Sequence, residues 1–214
     1  MNAPVAAPPV AFVVDDDAAI RTLWGWLMDS NGIAVRTFAT AREFIAEYQP
    51  GTPGCLVLDL ELPGMSGLQL QDYLLRQRID IPIVIVTGHA DVPSAVAALK
   101  GGAVDLIEKP FSYRHVLEVV RKAFVRDAEN RQRRARDEQT QARIASLTAR
   151  ERAVLRRVME GKPNKVIASE LDISIKTVEV HRANLMEKMG VGSVAELVQA
   201  TLGFSPMDGP AQTL

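Results

Sequence analysis

Three aspartates, a threonine and a lysine each lie at the end of a short apolar run, where one fold would gather them. Asp15 and Asp16 follow Val10–Val14, Asp59 follows 55–58, Thr87 closes 81–86, and Lys109 comes just after 104–107 and before Pro110. Near-continuous apolar runs of this length mark strands buried on both faces of a parallel sheet. Ligands of open α/β sheets bind beyond the carboxyl ends of the strands, and all five side chains fall there. Three carboxylates in one place repel each other unless a cation joins them. A small all-oxygen set suits Mg2+, with Mn2+ able to substitute. Asp59 can then act as a nucleophile toward a phosphoryl group and form an aspartyl phosphate. Lys109 would supply a second cation, and the Thr87 hydroxyl a hydrogen bond to a phosphoryl oxygen. Singly, each residue has an ordinary explanation: Asp15 and Asp16 as helix-capping acids, Thr87 as a strand end, Lys109 as a surface lysine. The chemistry rests on their conjunction.

The elements that must position them follow from the pattern around them. With a weaker run at 33–37, residues 1–125 alternate five strands with five helix-length stretches, which predicts a doubly wound α/β sandwich. Thr40-Ala-Arg-Glu43 reads as a capping box, and Leu117, Val120 and Phe124 share one helix face. Residues 126–145 contain no Pro or Gly and little to bury, so a solvated helical linker extending the preceding helix is expected; a disordered tether is the alternative.

From Leu147 onward the pattern is all-helical. Thr148-Ala-Arg-Glu151 is a second capping box, Gly161 can close that helix, and a short helix spans about 164–171. Asp172-Ile-Ser forms a turn, with Ser174 capping a helix that runs to about Met189 and stops at Gly190. A fourth helix covers about 193–202. The expected division is therefore 1–125, a linker at 126–145, a four-helix domain at 146–205 and a loose tail at 206–214.

On a helical wheel over 174–189, Val178, Leu185 and Met189 form a core stripe. Lys176, Val180, Ala183 and Glu187 face outward with Glu179 and Asn184 beside them. Thr177 and Lys188 lie on one flank and Arg182 on the other. A slim outward face with longer polar flanks is how a helix enters the DNA major groove. A small bundle for protein contacts is the alternative, and near-neutral charge favours it.

Bulk properties set the limits. The chain has 214 residues, 47% hydrophobic and 24% charged, as ordinary globular domains do. A single cysteine, Cys55, excludes an intrachain disulfide and a cysteine-based metal site, and His89, His115 and His181 lack zinc spacing. The first nine residues carry three prolines and no basic residue, unlike a signal peptide, and no run reaches membrane-span length. A cytoplasmic protein without a membrane partner is expected. Residues 1–125 hold 10 Lys+Arg against 14 Asp+Glu, 126–145 hold 6 against 4, and 146–214 hold 9 against 8. This asymmetry permits a nucleic-acid partner at the C-terminal end without requiring one.

Four segments carry a resemblance: Val-Val-Asp-Asp-Asp (13–17), Leu-Asp-Leu-Glu-Leu-Pro-Gly-Met-Ser-Gly (58–67), Val-Thr-Gly-His-Ala-Asp-Val-Pro (86–93) and Glu-Lys-Pro-Phe (108–111). They resemble the flavodoxin-like receiver domain of two-component response regulators, and the FixJ-like branch especially. The resemblance implies that Asp59 takes phosphate from a sensor histidine kinase. It implies Asp16, Asp59 and the Glu61 carbonyl as metal ligands, Asp15 acting through water, and Asp17 as the start of the first helix. Where the family usually has Tyr or Phe, three residues before the lysine, this chain has Leu106. Either Leu106 performs the in–out packing of that switch aromatic on a smaller scale, or it is simply a core strand residue.

Leu-Thr-Ala-Arg-Glu (147–151), Gly161, Asn-Lys-Val-Ile-Ala (164–168), Leu-Asp-Ile-Ser (171–174) and Thr-Val-Glu-Val-His-Arg (177–182) resemble the LuxR-type helix-turn-helix of NarL/FixJ regulators. That resemblance makes Glu179, Val180 and Ala183 base-facing, and Lys165, Lys176, Thr177 and Arg182 phosphate-facing. Together the two imply a transcriptional response regulator, not an enzyme beyond slow self-dephosphorylation. Its phosphorylation would promote homodimerisation and promoter DNA binding, with RNA polymerase as a further partner. The rival readings are a phosphohydrolase using the same Mg2+–aspartate pocket, against which no cap domain is visible, and a DNA-binding protein with a vestigial receiver.

Overall fold

The structure is a computed structural model that describes residues 7–88 and 92–202. His89, Ala90, Asp91 and the tail expected after residue 205 lie outside the described residues. The chain divides after Gln132 into two compact units.

The first unit alternates β1 (Val10–Val14), α1 (Ala18–Asp29), β2 (Ala34–Phe38), α2 (Ala41–Glu47), β3 (Gly54–Leu58), α3 (Gly67–Arg76), β4 (Ile83–Thr87), α4 (Val92–Lys100), β5 (Asp105–Glu108) and α5 (Tyr113–Ala145). The five strands form one parallel sheet in the order β2-β1-β3-β4-β5. The central strands β3 and β4 are buried at every position, as continuous apolar runs require, whereas the edge strand β2 is largely exposed.

The pleat sends alternate residues to two separate cores. Phe12, Val14, Leu56, Leu58 and Ile85 pack with Phe44, Leu70, Leu74 and Ala98, from α2, α3 and α4. Ala11, Val13, Val57, Val84 and Ile107 pack with Trp24, Leu27 and Met28 of α1 and with Val116, Val119, Val120 and Ala123 of α5. Leu117 and Phe124 are only partly buried at the margin of that second core.

Local signals behave as their chemistry dictates, with one correction. Thr40 caps α2 through Glu43 N–H at 3.2 Å, but the Glu43 carboxylate accepts from Ala39 N–H at 2.8 Å and not from Thr40, so the reciprocal box does not form there. A complete capping box occurs instead at Ser66–Gln69, opening α3. Helix α4 begins at Val92 and carries Pro93 in its first turn. Pro is compatible with a first helical turn because the N–H it lacks would have no intrahelical partner there.

Helix α5 runs on without a break through Ala145. Its middle is not wholly solvated, however. Asp127 is 3% exposed, accepts from Gly54 N–H at 3.1 Å and pairs with Arg131 at 2.9 Å. Gly54 is required there, since a Cβ would come within 2.0 Å of the Val10 carbonyl oxygen. The adjacent Cys55 is fully buried, and burial, with the Asp127 charge adding to it, pushes its thiol far above the ordinary range.

The second unit holds the end of α5 and then α6 (Ala149–Met159), α7 (Asn164–Leu171), α8 (Ile175–Met189) and α9 (Val194–Thr201). Leu147, Val154, Leu155, Val158, Ile167, Val178, Leu185, Met189 and Leu197 form its core. The Thr148–Glu151 capping box is complete, Ser174 caps α8 through Thr177 N–H at 3.0 Å, and Gly161 and Gly190 adopt left-handed conformations after α6 and α8. No helix among the described residues is long and apolar enough to cross a membrane.

Candidate functional site

The carboxyl edge of the sheet brings the acidic set together. One carboxylate oxygen from each of Asp15, Asp16 and Asp59 lies within 4.8 Å of the others, with Asp15 and Asp59 buried and Asp16 exposed. Such a donor set is chemically right for a hard divalent cation, which prefers oxygen ligands and retains waters on its open side. Lys109, carried past the end of β5, places Nζ at 2.6 Å from both Asp15 Oδ2 and Asp59 Oδ2. Burial acts to lower the Lys109 pKa, but its hydrogen bonds to Asp15 and Asp59 and their charges outweigh that and hold it above the ordinary lysine value. The ammonium therefore remains charged beside Asp59.

The other oxygens are held by backbone. Asp15 Oδ1 accepts from Asp17 N–H at 2.9 Å, and Asp59 Oδ1 accepts from Glu61 N–H at 3.0 Å. Asp17 itself caps α1 through Ala19 N–H at 2.7 Å. Thr87 is fully buried at the end of β4. Leu106 is partly buried and packs on the core beneath α4, on the face that holds Leu58 and Ile85.

Two supports have no counterpart in the sequence reading. Arg21 Nη1 donates to the Asp15 carbonyl at 2.8 Å, fixing the first acidic loop from one turn inside α1. Gly67 begins α3 against the Asp59 loop so closely that a Cβ would lie 2.2 Å from the Asp59 carbonyl oxygen. The Gly67 position is visible in sequence only as part of Pro-Gly-Met-Ser-Gly. Nothing in the spacing marks Arg21.

In the second unit, α8 exposes Lys176, Glu179, Val180 and Ala183, while Val178, Leu185 and Met189 are buried. Lys165 is exposed in the first turn of α7. Thr177 is half-buried, its hydroxyl 2.8 Å from Ser174 Oγ. Arg182, expected on an open flank, is half-buried and donates from Nη1 to Asn164 Oδ1 at 3.0 Å, tying α8 to the start of α7. Lys188 on the opposite flank bonds Glu151 at 2.7 Å.

Comparison with known proteins agrees with both halves. The response regulator receiver domain matches residues 11–121, and the LuxR family of bacterial regulatory proteins matches residues 145–201. The chain belongs to the response regulators that join a receiver to a LuxR-type DNA-binding domain. Among relatives of this response regulator, the transcriptional regulatory protein FixJ of Azorhizobium caulinodans is 43% identical, over 94% of this chain and 96% of that one. FixJ of Rhizobium meliloti is 44% identical over 91% and 96% respectively. The solved structure of the response regulator StyR superposes with a TM-score of 0.82 at 42% identity, covering 92% of this chain and all of that one. The regulator is thus a FixJ-like transcriptional response regulator. Phosphorylation of the receiver by a histidine kinase is general for its family, and its relatives are regulators of transcription.

Proposed function

We propose that Asp59 is the phosphoacceptor of this regulator and that Asp15, Asp16 and Asp59, with the Glu61 carbonyl, hold Mg2+ or Mn2+ beside it. The reading rests on one observation above all: Lys109 bridges Asp15 and Asp59 at the strand ends, holding a nucleophilic carboxylate in a pocket whose negative charge the single lysine offsets only in part. When bound, the cation supplies further neutralising charge for the phosphoryl group. An Asp59 carboxylate oxygen attacks the phosphorus, the P–N bond to the kinase histidine breaks, and the imidazole nitrogen keeps the electron pair. Lys109 then faces the new phosphoryl oxygens, and the Thr87 hydroxyl donates to one of them. Inward movement of Thr87 gives Leu106 room to repack against α4.

The output follows from what α4 exposes. Val92, Val96 and Leu99 fall at i, i+4 and i+7 and stand open to solvent, an apolar stripe able to pair with a second copy. A phosphorylated dimer would set two α8 helices on promoter half-sites. Glu179, Val180 and Ala183 then face bases, and Lys165, Lys176, Thr177 and Arg182 face phosphates. Asn164 engages only one Arg182 nitrogen, so the pairing orients the guanidinium for a phosphate. RNA polymerase is the partner such a bound dimer would engage.

The test combines acetyl phosphate with Mg2+ and reads the mass of the intact chain and its sedimentation. Phosphate should add to the wild type and produce a dimer, and Asp59→Asn should do neither. A modified Asp59→Asn chain would place the acceptor elsewhere.

A further inference from the structure

We infer that Arg143, in the last turn of α5, is a positioning residue for DNA recognition by α8. The inference rests on the reading that α8 contacts bases. Arg143 lies outside the stretch 145–201 that matches the LuxR family, and no motif singles it out.

Helix α8 is fastened at both ends. At its start, Ser174 caps the backbone, and midway along it Arg182 is tied to Asn164 at the start of α7. At its end, the N–H groups of Gly190 and Val191 return to the carbonyls of Glu187 and Met186 at 3.0 and 3.1 Å. The Met189 carbonyl is taken by Arg143, whose Nη1 donates to it at 2.7 Å. Helix C-termini leave carbonyls without intrahelical partners and carry partial negative charge, so a guanidinium there is favoured twice over.

The fit is specific. Gly190 is left-handed, a conformation that favours glycine, and a Cβ on it would meet the Arg143 guanidinium at 3.0–3.2 Å, so the planar group lies close against this glycine and would have to give by a few tenths of an ångström for a larger residue. Next to Arg143, Ile144 packs on the core that buries Leu185 and Met189. The end of the linker helix therefore fixes where the far end of α8 points. Base readout needs its side chains held within roughly 0.5 Å and 10–20° of the productive geometry. Phosphate attraction depends mainly on the number of cations and tolerates tilt. Releasing Arg143 should therefore damage sequence discrimination more than general DNA affinity.

The experiment uses the full-length chain. A duplex recovered by selection from a random library with the wild type serves as the specific probe, and random-sequence duplex as the general one. Arg143→Ala, and Arg143→Met, which keeps the apolar stem, should each lose about tenfold in affinity for the selected duplex, the scale of one hydrogen bond from a charged donor. Random duplex binding should change less than about twofold, against a backbone term set by the count of cations. Arg143→Lys, which retains a cationic donor, should recover most of the loss. Equal losses on both duplexes, or no loss on either, would overturn the positioning role. A wild-type chain that selects no sequence would instead sink the reading of α8 as the base-contacting helix.

Discussion

Lys109 is held between two carboxylates at 2.6 Å, and its removal would leave Asp15 and Asp59 adjacent and buried without a counter-charge. Lys109→Met should destabilise the first unit by about 3 kcal/mol, the usual cost of breaking such a cluster from one side. Added Mg2+ should restore part of it. Thermal melting with and without Mg2+ checks this, and unchanged melting of the variant would refute it. Gly67→Ala tests a different support. Its Cβ would strike the Asp59 carbonyl, so the Asp59 loop must shift, and phosphorylation by acetyl phosphate should slow by at least about tenfold, as small misplacements of a nucleophile do. The acidic residues, Thr87 and Lys109 were legible in sequence because strand ends announce themselves through the apolar runs before them. Arg21 and Gly67 were not, because they act through backbone carbonyls whose positions no residue type reveals.

Glu151 shows how one side chain can secure an element. It is 3% exposed, receives Thr148 N–H and accepts from Lys188. Burial acts to raise its pKa, but the Lys188 hydrogen bond, followed by those from Thr148, outweighs burial and holds the carboxyl below its ordinary value of 4.5. The folded form therefore binds this proton less readily than the unfolded form does. The resulting stability is complete above the ordinary value and lost as pH falls through the lower folded one. Urea unfolding of the second unit should show a wild-type advantage over Glu151→Gln of about 1–2 kcal/mol at neutral pH that narrows in acid. A difference independent of pH would remove the ionic contribution. Asp127 makes the complementary case in α5. Its stretch of Arg, Glu and Gln looks solvated by composition, yet Asp127 is buried because Gly54 presents an N–H that only a tertiary contact could satisfy. Asp127→Ala should cost the first unit about 1–3 kcal/mol, the penalty of an orphaned buried donor. Thr40–Glu43 fell short of its box for a related reason: a neighbouring N–H, that of Ala39, competed for the same carboxylate.

At the scale of the whole chain, phosphorylation and assembly should be separable. Val96→Glu puts a charge in the middle of the exposed α4 stripe, far in sequence from the acidic cluster. It should leave acetyl phosphate labelling intact while keeping the phosphorylated chain monomeric in sedimentation. A phosphorylated Val96→Glu dimer would move the interface away from α4. Both units were foreseeable as fold classes, since alternation of strand and helix patterns gave way to helices alone after Leu147. For residues 126–145 the composition favoured a helix and left a disordered tether open; the fastenings of α5 at Asp127 and Arg143 depend on glycine backbones distant in sequence.

The sealed thiol of Cys55 turns the first unit into its own stopwatch. A maleimide cannot reach that sulfur until the central strand is uncovered, so the alkylation rate of the unaltered chain reports how often the receiver opens, with no reporter group attached. The second unit has no cysteine to confuse the signal. Any stimulus that tightens the acidic pocket should lengthen the labelling half-life, and one that acts only on the DNA-binding half should leave it untouched.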